Sequence, residues 1–185
     1  DLNGYKNLIK DAFLYANKNI YKKSMTNKGY IGMGTTLTTV LIIENSMIVG
    51  HVGDSRVYSI RNHKISKITD DHSYVAELIK NGTIKPEEAN SHPQKNLITR
   101  AVGTGNNIEV DINAFNVNNG DFIVMCTDGL SNLVEEDKIL DVVISDKSLE
   151  EKCNHLISLA NSKGGYDNIT VVVIEINEGG ASLDR

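Results

Sequence analysis

FIVMCTDGLSNLV, residues 122–134, joins a buried strand to a carboxylate. Phe122 to Cys126 form a short, wholly apolar run, the character of a strand covered on both faces. Thr127, Asp128 and Gly129 then end it. Asp-Gly is a common turn pair, so the plain reading of Asp128 is a turn residue. The sharper reading is that its carboxylate faces a metal ion. The choice turns on whether acids recur at other strand ends.

They do. Asp54 closes the run Met47 to Val52 in GHVGDSRVY, and Asp167 precedes the run Ile169 to Ile176 in GGYDNITVVVI. In an antiparallel sheet the end of one strand lies beside the start of its neighbour, so these three acids can converge on one rim. Three carboxylates together repel one another unless a divalent cation lies between them. Hard oxygen ligands suit Mg²⁺ or Mn²⁺. No His or Cys pair has the spacing of a closed zinc site. Taken singly, each Asp reads better as a turn residue, since Asp is common in turns.

The rest of the chain predicts one α+β domain built on antiparallel sheet, spanning residues 1–185. Asp1 to about Lys28 has helical spacing, with Leu8, Ala12, Tyr15, Ala16 and Asn19–Ile20 as the apolar stripe. Thr38 to Ile43, Met47 to Val52, Val57 to Ile60 and Ile65 to Ile68 read as a meander of short strands. Residues 73–96 are polar, hold both prolines, and read as a flap containing a short helix from Tyr74 to Asn81. Glu135 to about Ser145 is a further helix. Ser148-Leu-Glu-Glu151 is a capping box that opens another, with Cys153, Leu156, Ile157 and Ala160 as its buried face. Gly164 and Gly165 stop it. Ile169 to Ile176 is the strongest strand, and the tail NEGGASLDR is expected to fray.

Composition bounds the function. At 185 residues, 40% hydrophobic and 23% charged, the chain fits a globular domain with a core of its own. A net charge of −5 argues against a general nucleic-acid binder. No apolar run reaches the roughly 20 residues that span a bilayer, and no signal peptide is expected, since DLNGYKNLIK holds no apolar core segment. A cytoplasmic location is the expectation. Cys126 and Cys153 are too few for a disulfide framework and read as buried thiols. Neither is followed at the sixth position by Arg, so Cys-x5-Arg phosphatase chemistry is not encoded.

Six motifs in order carry a resemblance: GMGTT (32–36), GHVGDSRVY (50–58), TDDHS (69–73), ITRAVG (98–103), CTDGLSNLV (126–134) and GGYDNITVVV (164–173). The chain resembles the metal-dependent protein serine/threonine phosphatases of PP2C type, in their compact bacterial form, from about Leu8 to Ile176. That resemblance implies an antiparallel β-sandwich flanked by helices, a four-layer α-β-β-α arrangement. It implies that Asp128 is shared between metals, that Asp167 binds one ion of a binuclear Mg²⁺ or Mn²⁺ centre, and that Asp54 with Asp128 holds a third, weaker ion. Residues 73–96 match the flap beside such a site. The implied chemistry is attack on phosphorus by a water activated between two ions about 3.5–4 Å apart. It needs no protein nucleophile. The implied partners are phosphoproteins, the substrates of a bacterial Ser/Thr kinase.

The family pattern also contains an Arg-x-x-Asn-x-Asp segment and an Asp-Gly-x-Gly-Gly segment, both supplying metal ligands. Neither occurs here. The expectation is a phosphatase lacking its N-terminal segment, weak or inactive alone, with exposed sheet edges that favour self-association. A non-catalytic binding or regulatory module is the alternative. Among the remaining residues, His72 is a candidate accessory for proton transfer or else a local cap, and Asn168 a candidate accessory to Asp167. His92 reads as a flap surface residue, and His51, His63 and His155 as structural or solvated. Arg56 and Arg100 could bind phosphate but read better as local salt bridges. Thr35 and Thr36 read as packing residues. Gly34 and Gly53 should permit close backbone approach.

Overall fold

A computed structural model of the chain describes residues 1–89 and 91–177. The expected fraying of the tail concerns residues that lie mostly outside this range. The chain divides into two units. One comprises Asp1–Ile42, Met47–Ser55 and Asp70–Phe115, and the other Ile43–Ser46, Arg56–Thr69 and the chain from Asn116 onward.

The first unit is built on helix α1, Leu2–Ser24, and a three-stranded sheet of β1 (Leu37–Ile43), β2 (Ser46–Val52) and β5 (Asp111–Asn116), in the order β1-β2-β5. Asp1 caps α1 by accepting a hydrogen bond from the Gly4 amide at 2.7 Å, as an N-terminal acid should. The buried stripe of α1 is Ile9, Phe13 and Asn17, with Ala16 and Ile20 alongside, packed on Leu37, Leu41, Ile48, Val52, Val102 and Ile112. This corrects the expected stripe. Leu8 and Tyr15 are 63% and 73% exposed. Two apolar stripes run along α1 at helical spacing, and the sheet takes the one bearing Phe13. Between β2 and β5 the chain forms two short helices, α2 (Tyr74–Lys80) and α3 (Pro86–Ala89). The first is the helix expected there, capped by Ser73.

The second unit holds β3 (Arg56–Arg61), β4 (Lys64–Lys67), β6 (Phe122–Cys126) and β7 (Val171–Glu175) in an antiparallel sheet of order β4-β3-β6-β7. Asn62 and His63, at φ 50° and 58°, make the tight β3–β4 turn that matches the strand twist. Helices α5 (Glu136–Val143) and α6 (Leu149–Ser162) bury Ile139, Val142, Val143, Leu156 and Ala160 against Tyr58, Ile60, Val124, Cys126 and Val173. The predicted capping box is formed in full, Ser148 and Glu151 each bonding the other's backbone. Cys153 is only half-buried, because Lys152, Leu156 and Ala160 occupy the inner line of α6. The opposite face of this sheet is buried too, at Val57 and Ile123, as is that of the first sheet at Met47 and Val49.

The α+β class, with two antiparallel sheets and flanking helices, is as expected. The meander is not a single one. Its four strands form two hairpins in two different sheets, because the link Gly53–Ser55 carries the chain from one to the other.

Candidate metal and phosphate site

The antiparallel pairing of β6 with β7 sets Cys126 opposite Val171. Asp128, just past the end of β6, and Asp167, just before β7, therefore lie at the same end of one sheet. Asp128 does not sit in a simple turn, however. It opens a short helix, α4 (Asp128–Ser131). The clamp between the two segments is Thr127. Its amide donates to the Thr170 carbonyl at 3.1 Å, while its hydroxyl accepts from the Thr170 amide at 3.0 Å and donates to the Asn168 carbonyl at 3.1 Å.

Gly129 answers why the strand ends in Asp-Gly. A Cβ at this position would collide with the Asn168 carbonyl and Ile169. Only glycine lets the start of α4 lie against the segment that carries Asp167. Burial, then the neighbouring charge of Asp167, pushes the Asp128 carboxyl above its ordinary range, while the Gly129 amide and Arg56 pull the other way. Asn132 also donates to it at 3.3 Å. Asp167 is exposed, and its carboxylate accepts from the Asn168 amide at 2.7 Å. A carboxylate whose ionisation is opposed by burial and by a neighbouring acid forms with that acid a hard-oxygen donor pair that a divalent cation relieves. The residues present fit part of a Mg²⁺ or Mn²⁺ shell. Among the described residues no group of three or more His, Cys, Asp or Glu side chains is arranged to hold a metal.

Asp54 belongs to the first unit and follows Gly53, whose φ is +122°. A Cβ on Gly53 would meet the Thr36 side chain, so the GDS and GTT motifs touch through this glycine. Thr36 Oγ1 lies 3.3 Å from Ser55 Oγ. Thr35 bridges Val102, and a Cβ on Gly34 would meet Thr104 and the Val102 carbonyl. The reading of Thr36 as a packing residue, and of Gly34 and Gly53 as points of close approach, agrees with these contacts, whereas Thr35 is exposed and contributes its backbone. Arg100 bonds Asp111 at 2.7 Å and lies 3.5 Å from Glu109, the local pairing expected of it. Arg56 donates to the Tyr58 hydroxyl at 3.3 Å. His63 sits in the β3–β4 turn, and His155 lies 2.8 Å from Lys147. His92 is half-buried beneath Tyr74, their ring centroids 5.9 Å apart.

Three residues that hold this architecture were not singled out from the sequence. Asn17, buried in α1, accepts from the Gly103 amide at 2.7 Å and donates to the Gly105 and Asn106 carbonyls. Its signal was available: an Asn in the middle of an apolar helical stripe needs partners. Thr127 and Asp111 gave no signal, because their partners lie 43 and 39 residues away.

The family described as protein phosphatase 2C matches residues 1–77. Protein phosphatase PhpP of Streptococcus pneumoniae is 43% identical over 152 residues, covering 82% of this chain and 62% of that protein. The chain thus spans about three fifths of the length of the curated relatives it matches. The serine/threonine phosphatase structure of S. agalactiae is 38% identical and superimposes with a TM-score of 0.90, covering 95% of this chain and 73% of that one. The catalytic domain of the serine/threonine protein phosphatase PstP, solved with two manganese ions, is 36% identical with a TM-score of 0.80, covering 88% and 67%.

Proposed function

Because this chain belongs to the protein phosphatase 2C family, we propose that the protein hydrolyses phosphoserine and phosphothreonine in proteins at a divalent-metal centre to which Asp128 and Asp167 contribute, with Asp54 a further metal ligand. The observation that carries this reading is the charge coupling of Asp128 to Asp167 on a rim locked by Thr127 and Gly129. Asp128 is the shared ligand, Asp167 binds one ion, and Asp54 is a ligand of a third, weaker one. Bound Mn²⁺ or Mg²⁺ supplies a water that is acidic near neutral pH and charge to offset the phosphoryl oxygens.

The chain's own residues prepare that site. The Thr127 hydroxyl holds the Asn168 backbone, and Asn168 in turn holds one oxygen of Asp167 through its amide. Arg56 offsets part of the negative charge on Asp128. Residues 73–96 form the flap that meets the phosphoprotein. The partners are phosphorylated proteins, substrates of a Ser/Thr kinase in the cytoplasm. Among the described residues no helix is long and apolar enough to cross a membrane. β7 is an edge strand with Val172 43% exposed, and such edges favour self-association.

One observation favours a second reading. Among the described residues the acids do not complete a metal-holding group of three, which suits a binding module without turnover, or a chain that needs further ligands. Manganese titration by calorimetry, with p-nitrophenyl phosphate turnover on the same sample, separates them. Binding and turnover that both vanish in Asp128→Asn support the phosphatase. Binding of a phosphopeptide with no turnover, in this chain and in a longer form of the length of its relatives, supports the module.

A further inference from the structure

We propose that His72 is a positioning residue that sets the Gly53–Asp54 turn. Four polar groups of His72 are committed. Its amide donates to the Gly53 carbonyl at 2.7 Å, and the Gly53 amide donates back to His72 Nδ1 at 3.0 Å. This reciprocal pair closes a ring around the one residue before Asp54. Since Nδ1 accepts, the ring proton resides on Nε2, where it donates to Asp111 Oδ2 at 3.0 Å. Arg100 fixes the other oxygen of Asp111 at 2.7 Å. The His72 carbonyl accepts from the Thr99 amide at 2.9 Å.

The surroundings leave the imidazole no other task. His72 is 7% exposed. His51 stacks beside it with centroids 4.8 Å apart, and is itself held by the Thr38 hydroxyl at 2.9 Å and the Asp70 carbonyl at 3.1 Å. A general acid must present a nitrogen to the leaving oxygen. Both nitrogens of His72 are already spent, one on Gly53 and one on Asp111. What His72 can do is dictate direction. Gly53 stands at a positive φ against Thr36; the bond into Nδ1 fixes the peptide that enters Gly53, the His72 amide fixes the carbonyl of the peptide that leads to Asp54, and the two together set the course of the turn. Outer groups that orient a ligand commonly govern its metal affinity.

The consequence for metal binding rests on the reading of Asp54 as a ligand, so the test separates the two. His72→Gln keeps a donor near Nε2 and loses the Nδ1 acceptor, whereas His72→Asn places an amide oxygen near Nδ1. In this chain without metal, His72→Gln should speed hydrogen exchange at the Gly53 amide about tenfold, the worth of one hydrogen bond. His72→Asn should restore it to within about twofold of the parent by the same measure. Manganese affinity should follow the same order, weakened in Gln and recovered in Asn, although both variants lose the native imidazole. Unchanged Gly53 exchange in His72→Gln, or no recovery in His72→Asn, overturns the proposal. If Asp54→Asn leaves manganese binding intact, the ligand reading of Asp54 fails instead, while Gly53 exchange still decides the role of His72.

Discussion

The imidazole of His51 titrates far from its free state. Burial first, then the adjacent His72, lowers its pKa to about 4, against the pull of the Asp70 carbonyl and of Asp111 and Asp71. In the unfolded chain the same imidazole titrates near 6.5. Between these values the unfolded state binds more protons than the folded one, so stability falls as pH drops from 6.5 towards 4 and is unaffected by this group above that window. Across the whole window the loss is roughly 3 kcal/mol. Urea midpoints measured from pH 7.5 to 4.5 should therefore slope downward, and His51→Gln should flatten the slope. A second residue-scale expectation concerns Asp121, which is buried and bound by Arg61 at 2.6 and 2.9 Å and by the Asn118 amide at 2.7 Å. Burial alone raises its pKa, yet these donors outweigh it and hold the carboxyl below its ordinary range. Asp121→Ala strands the donors and should cost about 2 kcal/mol in chemical unfolding. The placement of Asp128 and Asp167 at one end of a sheet was legible in the sequence because one follows and the other precedes a strand-like apolar run. Asp121 was not, because its meaning lies in Arg61, 60 residues earlier.

At the scale of elements, glycine and threonine decide how α4 meets the entry to β7. Gly129→Ala would press a methyl into the Asn168 carbonyl and must push the two segments apart. The expected cost is about 1–3 kcal/mol, with weaker manganese binding, since Asp128 and Asp167 ride on the separated pieces. Calorimetry on a variant that still unfolds cooperatively checks both parts. By contrast, Ser148→Ala, at the capping box of α6, should cost about 1 kcal/mol and leave metal affinity alone, because the cap lies at the far end of a helix from the acids' segments. The capping box was readable from four letters, since its partners are three residues apart. The strand β5, DINAFN, was not. Its Asp and two Asn dilute the β signal, while only Ile112 and Ala114 join the core beneath α1. The stripe of α1 failed for the same reason in reverse: two candidate faces compete locally, and only the sheet chooses between them.

At the scale of the molecule, the described residues form apolar cores under α1 and under α5 and α6. Sequence periodicity showed most elements of each, β5 excepted, but not their division between two sheets, because a strand run does not encode its pairing partner. The carboxylates follow the same limit: Asp128 and Asp167 meet in one unit, and Asp54 stands in the other. The chain covers 62% of the length of PhpP and 73% of the S. agalactiae structure, and among its described residues no three-acid metal group forms. A polypeptide of the relatives' full length should therefore bind manganese more tightly than this chain. It should also hydrolyse a phosphothreonine peptide at least about a hundredfold faster, since a complete metal centre contributes several kcal/mol to the transition state. Asp128→Asn in the longer form should abolish that gain, whereas Asp121→Ala should lower its stability and leave its turnover at 20 °C intact. Equal turnover by the two lengths would mean that Asp128 and Asp167 already hold a sufficient site. Absence of turnover in both would move the protein to the binding-module reading.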